Sequence, residues 1–236
     1  MAAPVSQLLA RTDIWLGRQW QQDNPGTGSG YAPLDDLLAG KGWPQVGVVE
    51  LIGDCTGLGD LLLPVLKAQQ SSDRWQLCLA PPGQPYAPAW ADAGIALERL
   101  VWVDAECRKE QLWTLEQALN SGRCSLILAW LEKLSGSEAR RLQLAAQKGG
   151  CLLFLHLPES VLAEHHAVAL RLGVVASQSG CTLRLIKQRG GWPAPDLPLP
   201  LPHRPVPHAP ATHRFQQGGP AAEVTMPEAG VVQGPW

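Results

Sequence analysis

The 236-residue sequence lacks the charge imbalance and the long apolar segments that identify several classes of protein. Its net charge of −2 excludes a globally basic nucleic-acid-binding surface, although it leaves a local basic patch open. No apolar run approaches the roughly 18–20 residues that span a bilayer. The beginning of the chain has no basic region followed by a long apolar stretch, which is the pattern of a secretory signal. We therefore expect a cytoplasmic protein that does not bind membranes.

The sequence is also poor in motifs that carry chemistry. Its six cysteines are spread singly without a C-x-x-C pair, and most lie in apolar, strand-like runs where reduced core cysteine is expected. His156, His165 and His166 have no partners at a spacing that suits zinc. No serine stands in the G-x-S-x-G context of a hydrolase nucleophile. These absences predict a reducing compartment, no metal site and no catalytic residues.

Proline is plentiful but unevenly distributed. Residues 193–236 contain 11 of the 21 prolines and only five charged residues, and they have too little periodic hydrophobicity to offset the entropy of ordering. We predict an N-terminal extension over residues 1–45, a folded domain over 46–192 and a disordered proline-rich tail over 193–236. The tail has two candidate uses, as an extended ligand for a partner's groove or as a flexible spacer.

Strand-like and helix-like segments alternate through the predicted domain. Apolar, β-branched runs predict strands, and apolar residues at helical spacing predict the helices between them. Ser135 and Glu138 form a capping box, which marks a helix start. The alternation predicts an α/β fold whose mostly parallel sheet is flanked by helices and ends in a C-terminal β-hairpin. The predicted strands are 46–52, 75–80, 100–103, 125–131 and 151–157, with a hairpin of 172–176 and 181–186, and the predicted helices are 60–70, 87–93, 109–121 and the segment from the Ser135 cap to 148.

The loop after the first strand lies where a parallel sheet binds phosphate, but its residues do not suit that role. The G-x-x-x-x-G-K-[ST] pattern, begun at Gly53, meets Leu58, Gly59 and Asp60 in place of the second glycine, the lysine and the hydroxyl residue. An aspartate about 5 Å from a phosphate costs roughly 3 kcal/mol per charge pair at an effective dielectric near 20. The loop is either a nucleotide-binding loop of unusual type or a tight structural turn. We favour the structural turn. A vestigial cofactor site would comprise Gly53, Gly57, Gly59 and Asp60.

Two further requirements of a nucleotide hydrolase are missing. The strand over 125–131 ends in Ala129-Trp130-Leu131, without a magnesium-binding aspartate. The strand over 75–80 is followed by Pro81-Pro82-Gly83, where a water-activating glutamate is needed. We predict a protein with no cofactor and no ATPase activity, and an active ATPase is the alternative within the enzyme class.

Several segments resemble a known family. They are Gly30–Gly53, which includes Gly42-Trp43-Pro44 and Val49-Glu50-Leu51, together with Ile14–Trp20, Trp75–Pro88, Leu142–Gly150 and Arg184–Gly191. In these segments the chain resembles the RecA recombinase core, and more closely the ImuA family of RecA-like accessory proteins in bacterial SOS mutagenesis. The resemblance extends over roughly residues 14–192. It implies a RecA-like core and a non-catalytic adaptor role in SOS-induced translesion DNA synthesis.

The ImuA resemblance implies partners rather than chemistry. ImuA-type proteins act with ImuB, a Y-family-like polymerase relative, and with an error-prone replicative-type polymerase, so both are expected partners. RecA is a further candidate partner, and any contact with DNA is expected to be indirect.

Arg74-Trp75-Gln76-Leu77 and Leu128-Ala129-Trp130-Leu131 carry a second resemblance. Through them, residues 46–160 resemble SulA, the SOS inhibitor of the division protein FtsZ. SulA is shorter, and it leaves residues 14–45 and the predicted hairpin unexplained. A SulA-type division inhibitor is therefore the alternative function.

Four basic residues are candidates for contact with a partner or with DNA. Lys187 and Arg189 follow the last predicted strand in a K-x-R pattern, which resembles the RecA strand end that reaches a neighbouring subunit's nucleotide. A solvated strand end is the alternative. Arg140 and Arg141 lie on a predicted helix, where they either touch phosphates or form its polar face.

Two tryptophans near the start of the chain complete the set of candidate contact residues. Trp15 and Trp20 precede a linker rich in glycine and proline at residues 25–30. If their side chains are exposed, they are interface anchors. If they pack on the sheet, they belong to the core.

Overall fold

An eight-stranded sheet organises the part of the chain that the computed structural model describes, which is residues 25–54, 56–83, 86–191 and 193–202. Its strands are β1 Gly47–Gly53, β2 Trp75–Leu79, β3 Leu100–Val103, β4 Cys124–Trp130, β5 Leu152–Leu157, β6 Leu170–Ser177, β7 Gly180–Gln188 and β8 Leu197–Pro200. The α-helices of these residues are α1 Ala32–Leu37, α2 Leu58–Ala68, α3 Ala87–Asp92, α4 Arg108–Ser121 and α5 Gly136–Gly149. Short 3-10 turns lie at Gln69–Ser71, Leu97–Arg99 and Glu159–Ala163.

The strands lie in the order β3-β2-β4-β5-β1-β6-β7-β8. All neighbouring pairs from β3 to β6 are parallel, whereas β7 is antiparallel to both β6 and β8. The carboxyl ends of β1–β6 therefore meet at one edge of the sheet, and their amino ends meet at the opposite edge. The predicted α/β class, with a mostly parallel sheet and a terminal hairpin, is confirmed.

Side chains that alternate along β1 divide the core between the two faces of the sheet. Val48 and Ile52 pack with α4 and α5 on one face. Val49 and Leu51 pack with α1 and α2 on the other. Because both faces are covered, the central strands are apolar along their whole length, which is why their sequences show no alternation.

The start and the end of α5 follow the sequence signals closely. The amide of Glu138 donates to Ser135 Oγ at 3.4 Å, and the amide of Ser135 donates to Glu138 Oε2 at 2.8 Å. This reciprocal pair is the predicted capping box, and it satisfies two backbone donors that the first turn leaves without partners. Gly150 ends the helix with φ of 60°, a conformation that glycine adopts without strain.

Residues 25–46 pack on the sheet rather than lying apart from it. Thr27 and Trp43 pair as an isolated antiparallel bridge, which closes the segment around α1. The Trp43 side chain is fully buried and meets Phe154 of β5 edge-to-face, with ring centroids 5.0 Å apart at 88°. This segment therefore contributes a large aromatic side chain to the core on the α2 face.

The strand β8 lies inside the segment that was predicted to be a disordered tail. It pairs with β7, and its Leu199 is 2% exposed. The average composition of residues 193–236 conceals a short Leu-Pro-Leu-Pro segment in which leucines and prolines alternate. Proline is tolerated at an edge strand, where it also removes donors that another chain would pair with. Residues 203–236 lie outside the described part of the chain.

The cysteines that the structure describes are all free of disulfides. Cys78, Cys124, Cys151 and Cys181 are buried, whereas Cys107 is exposed. Burial raises the pKa of Cys78 to about 12, which makes its thiol a poor nucleophile near neutral pH. Among the described helices, none is long and apolar enough to cross a membrane.

Candidate functional site

The loop that follows β1 forms a compact turn into α2. Asp54 Oδ1 accepts a hydrogen bond from the amide of Thr56 at 2.7 Å, and this bond holds the pKa of Asp54 below its ordinary value. Gly57 has φ of 82° and caps the helix, whose first turn contains Gly59 and Asp60. At Gly53 a Cβ atom would lie 2.5 Å from the carbonyl oxygen of Val174, so the close approach of β1 and β6 requires glycine there. Packing alone therefore accounts for this glycine of the loop.

His156 lies beside the same loop, on β5. Its Nε2 is 3.0 Å from the carbonyl oxygen of Gly53, so it ties the end of β1 to the neighbouring strand. Burial lowers the pKa of His156 below 6.5, although the Gly53 carbonyl and the Asp54 carboxylate act in the opposite direction. The predicted role of His156 as a hydrogen-bonded residue of a buried strand agrees with this geometry.

We expect His156 to make the protein less stable in mild acid. Because its pKa is lower in the folded chain than in the unfolded chain, the unfolded state binds the extra proton as the pH falls below about 6.5. The free energy of unfolding measured by urea titration should decline between pH 7.5 and 5.5, and His156→Gln should decline less. An equal decline in both proteins would show that other groups cause it.

A charged network lies buried between β1 and β6, and sequence reasoning missed it. His166 Nδ1 and Arg171 Nε each lie 2.6 Å from a different carboxylate oxygen of Glu50. Glu50 and His166 are fully buried, and Arg171 is nearly so. The signal in the sequence was a single glutamate in the apolar run Val48–Ile52, since an acidic residue is rarely buried without a partner.

The same network holds the connection between β5 and β6. Arg171 donates to the carbonyl oxygens of Glu164 at 2.6 Å and Val161 at 3.0 Å. Lys187 Nζ donates to the carbonyl oxygen of His166 at 2.6 Å. Lys187, a predicted contact residue, therefore also supports the loop before β6.

The structure brings three of the four basic candidates together and separates the fourth. Arg140 of α5, Lys187 of β7 and Arg189 line one groove near the amino ends of β1 and β6. Arg141 points elsewhere and forms an ion pair with Glu116 of α4, with 2.8 Å between Nη2 and Oε1. Trp15 and Trp20 lie outside the described residues. Within those residues, no group of three or more His, Cys, Asp or Glu side chains could hold a metal ion.

Two exposed apolar side chains lie on β3, the outermost strand on one side of the sheet, and on its neighbour β2. Val101 of β3 and Trp75 of β2 are 37% and 46% exposed. We call this surface the β3 edge. Trp113 of α4 is 64% exposed, but it lies one helical turn before Glu116, which pairs with Arg141, so it lies on the side of α4 that faces α5. Two further tryptophans, Trp90 and Trp102, lie half-buried on the α2 face of the same region. The sequence showed that tryptophan is abundant, but it did not show that Trp75 and Trp102 lie on the two outermost strands of one side of the sheet.

Comparison with known proteins gives one consistent family. The model of the family "Cell division inhibitor SulA" matches residues 49–152, from β1 to the first residue of β5. The cell division inhibitor SulA of Photorhabdus laumondii is 34% identical over 104 residues, which are 44% of this chain and 59% of that protein. The SulA of Edwardsiella piscicida is 32% identical over 120 residues, which are 49% of this chain and 71% of that protein. The crystal structure of SulA from Pseudomonas aeruginosa is 29% identical, with a TM-score of 0.41, and covers 47% of this chain and 97% of that one.

These matches correct the functional prediction. The assignment to the ImuA family is not supported, and the predicted role in translesion synthesis is wrong, because the matching family and relatives are cell division inhibitors. The ImuB-like and error-prone polymerases are wrong as partners for the same reason. The prediction preferred ImuA because the resemblance to SulA left both ends of the chain unexplained, but a domain can carry additional segments without changing family. The chain belongs to the SulA family.

Proposed function

We propose that this chain is an SOS cell-division inhibitor of the SulA type that binds the division protein FtsZ. The match to the SulA family over residues 49–152 carries the proposal, because it includes most of β1, the strands β2–β4 and the helices α2–α5. The curated relatives that it matches are named cell division inhibitors. The chain spans 59% of the length of the Photorhabdus relative, so the activity is inferred from a part of that protein.

The proposed FtsZ-binding surface is the β3 edge. Its exposed side chains, Trp75 and Val101, both lie within the SulA match. Large aromatic side chains are enriched among the residues that dominate binding energy at interfaces. The outer side of an edge strand also offers backbone donors and acceptors to a partner. The opposite edge, β8, contains Pro198 and Pro200 and is poorly suited to such pairing.

Binding, rather than catalysis, is the proposed mode of action. The loop before α2 has Gly59 and Asp60 where a phosphate-binding loop needs a lysine and a hydroxyl residue. We propose that the domain derives from a RecA-like core that lost its nucleotide site, supported by the central β1, the loop at its carboxyl end and the terminal hairpin. As a partner of FtsZ, the protein would act in the cytoplasm.

Substitutions at the β3 edge should weaken the complex with FtsZ. We expect Trp75→Ser to raise the Kd at least tenfold, a loss of about 1.4 kcal/mol or more, because a large exposed apolar contact is removed. Val101→Glu should have a comparable effect. Both can be measured by biolayer interferometry with immobilised FtsZ and the full-length chain.

A matched control for these variants lies elsewhere on the sheet. Val175 of β6 is 54% exposed and is remote from β3 in the strand order. Val175→Glu should bind FtsZ as the unchanged protein does. If Val175→Glu weakened binding as much as Val101→Glu, this result would contradict the proposal that the β3 edge binds FtsZ.

A further inference from the structure

We propose that a second surface, the basic groove, binds an acidic segment of a partner protein. The basic groove is the concave surface near the amino ends of β1 and β6, and it is lined by Arg140, Gln143, Leu144, Gln147, Lys187 and Arg189 together with residues 167–169. It has a volume of about 300 Å³. The proposal does not depend on the assignment as a division inhibitor, because the groove is remote from the β3 edge in the strand order.

Three positive charges face this groove without a compensating negative charge. None of the residues that line it is acidic. Among the described residues, Arg140 and Arg189 form no ion pair, and the hydrogen-bond acceptor of Lys187 Nζ is the neutral carbonyl of His166. Cations gathered in a concave site raise the local concentration of anions. The groove therefore favours a negatively charged ligand.

Gln143 adds a buried polar group to the same groove. Its Oε1 accepts hydrogen bonds from the amides of Val48 at 2.9 Å and Ala169 at 3.0 Å, which fixes the side chain between β1 and the start of β6. The residue as a whole is only 8% exposed, but its Nε2 is not among the buried side-chain atoms that lack a hydrogen-bond partner. Gln143 therefore fixes the wall of the groove, and the positive charges provide the attraction for a ligand.

The shape and lining of the groove favour a peptide over a nucleic acid. Its volume is at the lower end for ligand pockets, which suits a few side chains and not a duplex. Single-stranded nucleic acids are held by aromatic side chains that stack on bases, and no aromatic residue lines the groove. Leu144, 54% exposed, instead offers an apolar contact. An extended segment with carboxylates and one apolar side chain fits these features.

Much of the basic groove lies outside the part of the chain that matches SulA. Arg140 and Gln143 are within residues 49–152, whereas Lys187 lies in the β6–β7 hairpin beyond them and Arg189 follows the end of β7. The hairpin thus converts a helix surface of the matched region into a two-sided groove. The proposal therefore assigns a binding role to groove residues that lie beyond the SulA match.

The test compares two labelled probes by fluorescence anisotropy with the full-length protein. The first is a short peptide that alternates Asp and Glu with Leu, and the second is a short oligothymidylate. The peptide should bind, its affinity should fall with added salt, and Arg140→Glu combined with Arg189→Glu should weaken it at least tenfold. Arg123→Glu combined with Lys133→Glu changes the net charge equally at exposed positions outside the groove and should leave binding unchanged.

Each other outcome overturns the proposal. Absence of peptide binding refutes it, as does equal weakening by the control pair, which would mean that only net charge matters. Binding of oligothymidylate without the peptide would assign the groove to nucleic acid. If the double glutamate variant fails to fold by circular dichroism, the Arg140→Gln and Arg189→Gln pair replaces it under the same criteria.

Discussion

Replacing Glu50 with glutamine should lower the free energy of unfolding by about 3–5 kcal/mol, because a buried ion pair that loses one member leaves an uncompensated charge. Glu50 Oε1 and Oε2 are each 2.6 Å from a nitrogen of His166 or Arg171, and all three side chains are buried. An amide replaces one of the two oxygens with a donor that faces another donor. Urea-induced unfolding, followed by tryptophan fluorescence, measures the difference.

Two further variants identify the cause of that loss. Glu132→Gln removes an exposed carboxylate and should change stability by less than about 0.5 kcal/mol. Glu50→Leu combined with Arg171→Met removes both charges and should be less destabilised than Glu50→Gln, since apolar replacements of buried pairs are often neutral. A loss below about 1 kcal/mol for Glu50→Gln would contradict the importance of the network.

Trp43→Ala should lower the free energy of unfolding by about 3–5 kcal/mol, as expected when a fully buried aromatic side chain is truncated. The indole packs edge-to-face on Phe154 and lies beside the short bridge to Thr27. The substitution thus removes core volume and the anchor of residues 25–46 together. Calorimetry or urea titration of the full-length chain provides the measurement.

Trp43→Phe serves as the comparison for this prediction. The indole Nε1 is buried without a hydrogen-bond partner among the described residues, so phenylalanine sacrifices no hydrogen bond and keeps an aromatic contact. The loss in the free energy of unfolding caused by Trp43→Phe should be less than half of the loss caused by Trp43→Ala. Equal effects of both substitutions would mean that ring packing on Phe154 is unimportant.

Local signals in the sequence predicted the elements of this fold well. The capping box of Ser135 and Glu138 and the apolar runs of β4 and β5 identify their elements directly, because they report short-range hydrogen bonding and burial on both faces. β8 escaped prediction because its stability depends on pairing with β7, which lies outside any local window. The high average proline content of residues 193–236 also made this strand resemble part of a disordered tail.

The candidate site was less predictable because its members are distant in sequence. Glu50 and Arg171 are 121 residues apart, and only the parallel pairing of β1 with β6 brings them together. Arg140 joins Lys187 and Arg189 in one groove, whereas its neighbour Arg141 pairs with Glu116, a division that depends on helix orientation. Resemblance at both ends of the chain also directed the functional prediction to the wrong family.

The proposed function requires that this chain block the assembly of FtsZ. Sedimentation of purified FtsZ under polymerising conditions, with increasing amounts of the full-length chain, tests it most directly. We predict that the pelleted fraction falls in proportion to the added protein, that the combined Val101→Glu and Trp75→Ser variant loses this effect, and that Val175→Glu retains it. Undiminished FtsZ polymer in the presence of excess folded protein would contradict the proposed function.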